Sequence, residues 1–475
     1  MVKTKVVAVL LGPTGVGIIG LLNAPLQLIA SVTGLGLPFS AVREISEAHG
    51  NNDKDRIARI IISFRRWAWF TGLLGVAVTM LFAPLLSKWT FGNSDYVWAF
   101  RWLSVTLLLL TINKSQIAII QGTRRLKDLA QASIYGTLIG LFTAVPLYYF
   151  FGTKGIVPSI IIAAVSSLFL SWYFSRRIEI ESIKISYNEI FRIGGQMLGL
   201  GAIITITGLV STLTGYILSA FISRTGGVDQ VGLYNAGWSV VGQSTSLVFT
   251  AMATDFYPRL AAVNRDNFKL SELVNQQAQM VQIILAPILI LLIGLMPVIV
   301  RILYTPEFSG IIKYTSWMLS GILLKGLLWP VGFIFPAKGD LKLFGFIEMG
   351  CMVFNILTNV AGYHFFGLEG LGVSFIINYL FGFSVSYFYA KRKYEFKYNK
   401  LTLIEFARSL ILVSAVFLIT YFVDQPFSYY YSALLLILSL VYFLFALNNK
   451  IGLQDLLSKA GSYFKGGNQD EKDNL

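Results

Sequence analysis

The sequence predicts an all-α protein that crosses a membrane many times, and three observations carry that prediction. Of 475 residues, 55% are hydrophobic and only 13% are charged, whereas a soluble domain carries about 25% charged residues. The mean hydropathy is +0.67. The apolar residues fall in runs of about 20, the length at which a helix crosses a hydrocarbon core of roughly 30 Å. The net charge of +14 fits this class and calls for no nucleic acid, because Lys and Arg gather in the cytoplasmic loops of membrane proteins and set their topology. Cys351 stands alone and His49 and His364 lie far apart, so neither a disulfide framework nor a metal site is expected, and no cofactor is called for.

Hydropathy predicts thirteen spans, near residues 16–42, 67–87, 102–121, 130–151, 156–174, 198–222, 231–254, 281–300, 314–335, 343–366, 370–390, 404–422 and 429–447. Several contain proline: Pro25, Pro146, Pro158, Pro287 and Pro330. Proline bends a helix by removing a donor, which transporter helices tolerate where they line a cavity. Lys and Arg concentrate in the odd-numbered loops and the C-terminal tail, which puts those segments in the cytoplasm and residue 1 on the outer face. An outer N-terminus must be translocated, and one more helix in front of the chain would remove that need.

The chain also repeats itself. "YYFFGTKG" at 148–155 matches "YHFFGLEG" at 363–370, and "WYFSRR" at 172–177 matches "YFYAKR" at 387–392. Leu126-Lys127 matches Leu341-Lys342, and Val16-Gly17 matches Val231-Gly232. The step covers an even number of helices, so both copies keep one orientation: a direct repeat about an axis along the membrane normal. The expected plan is a lobe at 1–178, a second at 179–393, each built on six helices, and two further helices with a cytoplasmic tail at 394–475. On this plan the first lobe lacks most of its first helix, with "VVAVLLG" its last turns, either because the start is placed late or because the chain is truncated. A signal peptide fits less well, since the apolar run is short and no small-residue cleavage site follows.

Gly15, Gly17 and Gly20 spell G-x-G-x-x-G within "GPTGVGIIG". A dinucleotide loop must follow a strand and open a phosphate-binding helix. Here the glycines end one apolar run and open another, so they are expected at an outer turn, tightened by Pro13.

With "TKVVAVLLGPTGVGIIG", "GLGLPFSAVREISEA", "DQVGLYNAGWSV" and "FIFPAKGDLKLF", the plan resembles the Wzx-type O-antigen translocases, within the multidrug/oligosaccharidyl-lipid/polysaccharide exporter superfamily. The resemblance covers nearly the whole chain. It implies two lobes forming a V around a central cavity and transport by alternating access. The implied substrate is an undecaprenyl-pyrophosphate-linked oligosaccharide, and the implied place is the bacterial cytoplasmic (inner) membrane, in lipopolysaccharide biosynthesis. A coupling ion, H⁺ or Na⁺, and polysaccharide-assembly proteins are further candidate partners. A multidrug exporter and a lipid II flippase of the same superfamily remain open. A polymerase or ligase would need a long catalytic outer loop, which the short outer loops do not provide.

Charges within spans are expensive and default to function. Lys114 in "LLLLTINKSQIAII" and Lys325 in "WMLSGILLKGLLWP" lie deep in repeat-mate spans, one helical turn out of register. They are candidates to bind pyrophosphate as point charges. The plain alternative is that each snorkels or pairs with a carboxylate. Arg43 and Arg259 end repeat-mate spans at the cytoplasmic side, as a ring that admits the head group or as topology anchors. Asp255 is placed to pair with Arg259 at i,i+4, and Glu348 to pair with Lys325 or to couple an ion. Asn23, Gln27, Asn235, Gln243, Asn355, Asn359 and Asn378 are amides suited to sugar hydroxyls or to helix–helix bonds. Residues 43–66 are predicted as one basic amphipathic stretch along the cytoplasmic interface. Its Asp53-Lys54-Asp55 spells a D-x-D metal motif with no catalytic domain around it. The polar tail "GGNQDEKDNL" is predicted to be disordered.

Overall fold

A computed structural model describes residues 2–51, 53–178, 183, 185–424 and 426–451; the polar tail lies outside them. The described residues contain no strand. In order, the helices are α1 (Val2–Gly34), α2 (Leu37–Gly50), α3 (Lys54–Phe91), α4 (Val97–Gly122), α5 (Leu126–Phe151), α6 (Ile156–Ser175), α7 (Tyr187–Gly226), α8 (Val228–Ala262), α9 (Asn267–Gly294), α10 (Met296–Leu303), α11 (Ile311–Gly332), α12 (Ile334–Ala337), α13 (Leu341–Tyr394), α14 (Lys400–Phe422) and α15 (Phe427–Ile451). They gather into two compact units: Met1–Ala236 with Arg301–Ile311 and Glu348–Tyr363, and Gly237–Val300 with Ile312–Ile347 and His364–Leu475.

Nine helical segments among the described residues are long and apolar enough to cross a membrane, against the thirteen spans expected. The difference has two sources. Leu126–Ser175 and Leu341–Tyr394 are 50 and 54 residues long, each more than twice the roughly 20 residues of one crossing. Each is broken by a glycine, Gly152 (φ 55°, ψ −134°) and Gly367 (φ 58°, ψ −141°). The other source is α7 and α8, which carry two expected spans but fall outside the nine. The side chains at 198–207 in α7 are not described, and α8 is diluted by Asp229, Gln230, Asn235, Gln243 and Asp255.

Gly12 (φ 63°, ψ −166°) breaks α1, and Gly227 (φ 89°, ψ 172°) separates α7 from α8. Positive φ with extended ψ is open to glycine and closed to other residues. Gly12 and Gly227 stand one repeat step apart, as do Gly152 and Gly367. The turn expected from "GPTGVG" falls at Gly12. The chain folds so tightly there that a Cβ on Gly15 would lie 2.1 Å from that of Leu11.

The first span ends earlier than hydropathy suggests. Leu35 and Gly36 take positive φ, 50° and 66°, and α2 starts anew with Pro38 in its first turn. Residues 43–66 are therefore two helices rather than one interfacial stretch. The physical reason is the N-cap of α3: the Asp53 carboxylate accepts from the Arg56 amide at 2.9 Å, and the Arg56 guanidinium turns back to Glu44 and Glu47 at 3.0 and 3.1 Å. A cap of this kind contributes about 1 kcal/mol. The face Leu37, Ala41, Ile45, Ala48 of α2 buries against Ile61 and Phe64 of α3, Ile119 of α4 and Met197 of α7. Gly122 admits α2, since a Cβ there would meet the Ile45 Cβ at 2.7 Å. The D-x-D thus serves as a helix cap, and no metal-binding cluster occurs among the described residues.

In the second unit, α9 packs on α14 and α15 through a closed polar network. Asn275 donates to the carbonyls of Ser271 and Lys397 at 2.8 and 3.0 Å and accepts from the Asn399 amide and the Thr402 hydroxyl, both at 2.8 Å. Gln279 donates to the Thr402 hydroxyl at 2.9 Å. At the start of α13, the Asp340 carboxylate accepts from the Lys393 ammonium and, at 2.8 Å, from the Tyr394 hydroxyl. These donors, the lysine first, hold the Asp340 carboxyl below its usual range.

Two predictions follow from these bonds. Asn275→Ala strands several buried groups at once and lowers stability by on the order of 2 kcal/mol, read as a lower unfolding temperature in detergent. The Asp340 contribution is present above the ordinary carboxylate pKa of about 3.8 and is lost as pH falls through the depressed folded value. Asp340→Asn therefore unfolds at lower temperature than the parent at pH 7, and the gap closes as pH falls below about 4; a gap that persists into acid counts against the assignment.

Candidate functional site

Lys114 lines a cavity of about 820 Å³ inside the first unit. Four helices wall it. The N-terminal part of α2 gives Pro38, Phe39 and Val42; α4 gives Asn113, Lys114, Ile117 and Gln121; α5 gives Ser133, Gly136, Thr137 and Gly140; α6 gives Ala163 and Ser167. Local sequence makes the space. On α5, Gly136 and Gly140 lie one turn apart, and Cβ atoms there would reach Ser167 and Ala163 at 3.6 Å. On α4, residues 114, 117, 118 and 121 share a face by helical spacing. The lining is mostly apolar, with hydroxyls, two amides and one cation converging on it. Asn113 Oδ1 is buried and accepts no hydrogen bond.

Lys114 is exposed to this space and has neither an ion pair nor a hydrogen-bond partner among the described residues. Lys325 lies midway along α11 in the second unit and is half-buried. Its ammonium sits 4.5 Å from the centre of the Phe249 ring, and no carboxylate pairs with it among the described residues. Nearby, Gln282 of α9 donates to the Leu323 carbonyl at 3.0 Å, and Gly326 lets α9 close in, with Gln282 Nε2 2.8 Å from where a Cβ would stand.

Arg43 lies on α2 and is exposed. Arg259 donates to Asp255 at 2.9 Å across one turn of α8, with both side chains largely exposed. Glu348 is exposed near the start of α13 and makes no ion pair among the described residues. Several amides bond within their own helices: Asn359 donates to the Asn355 carbonyl at 2.8 Å and side-chain oxygen at 3.0 Å, and Gln243 to the Ser239 hydroxyl at 2.5 Å.

Sequence reasoning missed three groups. Arg65, in the first turns of α3, reaches the Ser175 hydroxyl at 3.3 Å while its Nε is buried without an acceptor. Arg224 caps the C-terminus of α3 by donating to the carbonyls of Lys88 and Trp89 at 2.8 and 3.0 Å. Thr14 donates to Asp229 at 2.5 Å across 215 residues of sequence, the same step that separates the matched stretches.

Nine helical segments among the described residues, each long and apolar enough to cross a membrane, define a multi-pass membrane protein. The chain belongs to the polysaccharide biosynthesis protein family, which it matches over residues 6–313. A candidate O-antigen transporter of Shigella flexneri is 23% identical over 381 residues, covering 77% of this chain and 87% of that one. Among solved structures, an inward-facing multidrug resistance MATE family transporter of the MOP superfamily superposes with a TM-score of 0.68 at 15% identity, covering 83% of this chain and 93% of that one. The lipid II flippase MurJ in an inward closed conformation gives 0.60 at 15% identity, covering 93% and 98%. These two share the fold, and all three of these relatives are transporters or flippases.

A cation without a counter-ion carries a desolvation cost, about 2.5–3.5 kcal/mol for a charged residue at the centre of an inserted helix. Lys325→Met removes that cost and keeps much of the volume, at the loss of the ammonium's contact with the Phe249 ring, so stability, read as the unfolding temperature in detergent, is expected to hold or rise by on the order of 1 kcal/mol. A clear fall would reveal a partner for the ammonium.

Proposed function

We propose that this protein is a flippase that carries an undecaprenyl-pyrophosphate-linked oligosaccharide across the bacterial inner membrane by alternating access. The observation that carries this reading is the pair of intramembrane lysines with no ion pair among the described residues, one of them lining the cavity of the first unit. A pyrophosphate entering hydrocarbon sheds water, and only fixed cations or donors offset that loss. Hydroxyls and amides beside Lys114 suit the sugar, since they donate and accept. The relative named for O-antigen transport supports the same substrate class.

We take Lys114 and Lys325 as the cations that meet the pyrophosphate, and Arg43 and Arg259 as cytoplasmic charges that gather it. Asp255 and Glu348 are the carboxylates for pairing or for coupling to H⁺ or Na⁺. The lobes are 1–178 and 179–393, with 394–475 as an appendage. Support for the repeat comes from the matched glycine breaks at 12 and 227 and at 152 and 367, and from the matched starts of α5 and α13 at Leu126 and Leu341. A multidrug exporter, the second reading, has the fold in its favour. It fits less well because a cationic drug is repelled by unpaired lysines.

The test is reconstitution in vesicles with lipid-linked oligosaccharide. Lys114→Ala combined with Lys325→Ala is expected to slow translocation at least tenfold, by an estimate of about 1.4 kcal/mol lost at the barrier. Lys→Arg at both positions is expected to retain most of the rate. A double alanine variant as fast as the parent would reject the cation assignment.

A further inference from the structure

The N-terminal part of α8 runs beside α1 within the first unit, and the contacts between them follow one rule. Thr14 meets Asp229 at 2.5 Å. A Cβ on Gly17 would stand 2.1 Å from the Val228 carbonyl oxygen, one on Gly232 2.0 Å from the Pro13 carbonyl oxygen, and one on Gly20 2.0 Å from Asn235 Nδ2. Thr14–Asp229 and Gly20–Asn235 advance by six residues on both helices, so the helices run parallel. Thr14 and Asp229 are repeat mates, as are Gly20 and Asn235. The Gly17–Val228 and Pro13–Gly232 contacts are images of each other, because Val228 is the mate of Pro13 and Gly232 the mate of Gly17. Reciprocal contact of this kind is what a two-fold axis generates between equivalent surfaces. Here it passes between the two helices just after their glycine breaks at Gly12 and Gly227.

The contact is close and thin. Gly17 and Gly232 each present a Cα hydrogen where a side chain would begin, toward a carbonyl of the other helix, and such contacts are individually weak, while Gly20 makes room for the Asn235 amide. One hydroxyl–carboxylate bond adds to them. Asn235 Nδ2 is buried there without an acceptor, which costs the closed arrangement free energy. Two turns beyond Gly20 on the same face of α1, Gln27 is exposed, so the contact does not continue along the helix. The distribution of Lys and Arg puts the Gly12 turn at the outer face.

We propose that this α1–α8 contact is the seal that closes the outer face in one state of the transport cycle. Thr14–Asp229 is its polar latch, and Gly17 and Gly232 are the positions that let the helices meet. Small residues admit backbone approach between membrane helices, and a contact made of weak, reciprocal parts separates as a unit when the two helices move apart. The G-x-G-x-x-G spacing is then the footprint of a helix pair: Gly17 and Gly20 face the partner helix, and Gly15 accommodates the turn.

The seal rests on the transport reading for its role, and the test separates the two. In the full chain carrying Cys351→Ser, Thr14→Cys and Asp229→Cys are introduced and oxidised in membrane vesicles. The disulfide is expected to form without added substrate, to arrest translocation of lipid-linked oligosaccharide, and to release it on reduction. Failure to form, or translocation by the cross-linked protein at the reduced rate, overturns the proposal. A second measurement needs no transport. With Gln27→Cys in the Cys351→Ser background, a membrane-impermeant maleimide is applied from the outer side. Gly17→Ala with Gly232→Ala is expected to raise the labelling rate about tenfold by shifting the population toward the open state, and an unchanged rate overturns the proposal. If labelling responds while the Cys351→Ser parent moves no lipid-linked oligosaccharide, the function reading fails and the seal stands.

Discussion

Hydrocarbon offers a polar group nothing to bond, and the structure is organised around that constraint. Backbone groups are satisfied within helices. Hydroxyls inside the helices turn to their own backbone: Thr33, Thr71 and Thr79 donate to the carbonyls four residues earlier at 2.8 to 2.9 Å. Asn275, Gln279, Asn399 and Thr402 join α9 to α14 through a connected set of hydrogen bonds. Glu405, buried in α14, accepts from the Tyr442 hydroxyl of α15 at 2.6 Å. Against this background Lys325 is conspicuous: no carboxylate pairs with it among the described residues, its ammonium sits 4.5 Å from the centre of the Phe249 ring, and its free energy cost motivates the role proposed for it.

The sequence carried most of the fold because the same constraint writes itself into composition. Apolar runs located α3, α4, α9, α11 and α14, and the pairing of Asp255 with Arg259 was legible from a spacing of four. "YYFFGTKG" and "YHFFGLEG" share a glycine in sequence, and Gly152 and Gly367 adopt nearly the same backbone angles. What was not legible depends on facing, not on burial from water. Hydropathy scores lipid-facing and helix-facing leucines alike, so it ran the first span through Leu35 and Gly36, where the backbone breaks. It also carried no information that the charged end of Arg224 bonds to the last carbonyls of α3.

The candidate site was legible in part for a related reason. A lysine amid apolar residues announces itself, so Lys114 and Lys325 were found from sequence. The cavity around Lys114 was not, because it is made by absence: Gly136 and Gly140 on α5 leave room that no single residue marks. The amides were legible as polar groups but not in their bonding: Asn359 donates to both oxygens of Asn355 within one helix. Polar residues in spans are thus poor markers of ligand contact unless their hydrogen bonds remain open, as at Asn113 Oδ1.

The sign of the unpaired charge bears on what such a fold transports. A shared helical scaffold is compatible with exporters of drugs and with flippases of lipid-linked sugars, so the fold alone does not choose. A cavity that holds a cationic drug gains from a carboxylate, whereas one that holds a pyrophosphate gains from an ammonium. The difference is large because the two charges interact across a medium of low effective dielectric. In this chain Lys114 and Lys325 stand without counter-ions among the described residues, and so does the carboxylate of Glu348 near the start of α13, Lys114 and Glu348 both being exposed. Reversing the sign at 114 alone would place a carboxylate beside Asn113 and Gln121, groups that can donate to it as readily as they serve a sugar. The sign at 114 is therefore the feature on which the proposed choice between an anionic and a cationic cargo turns.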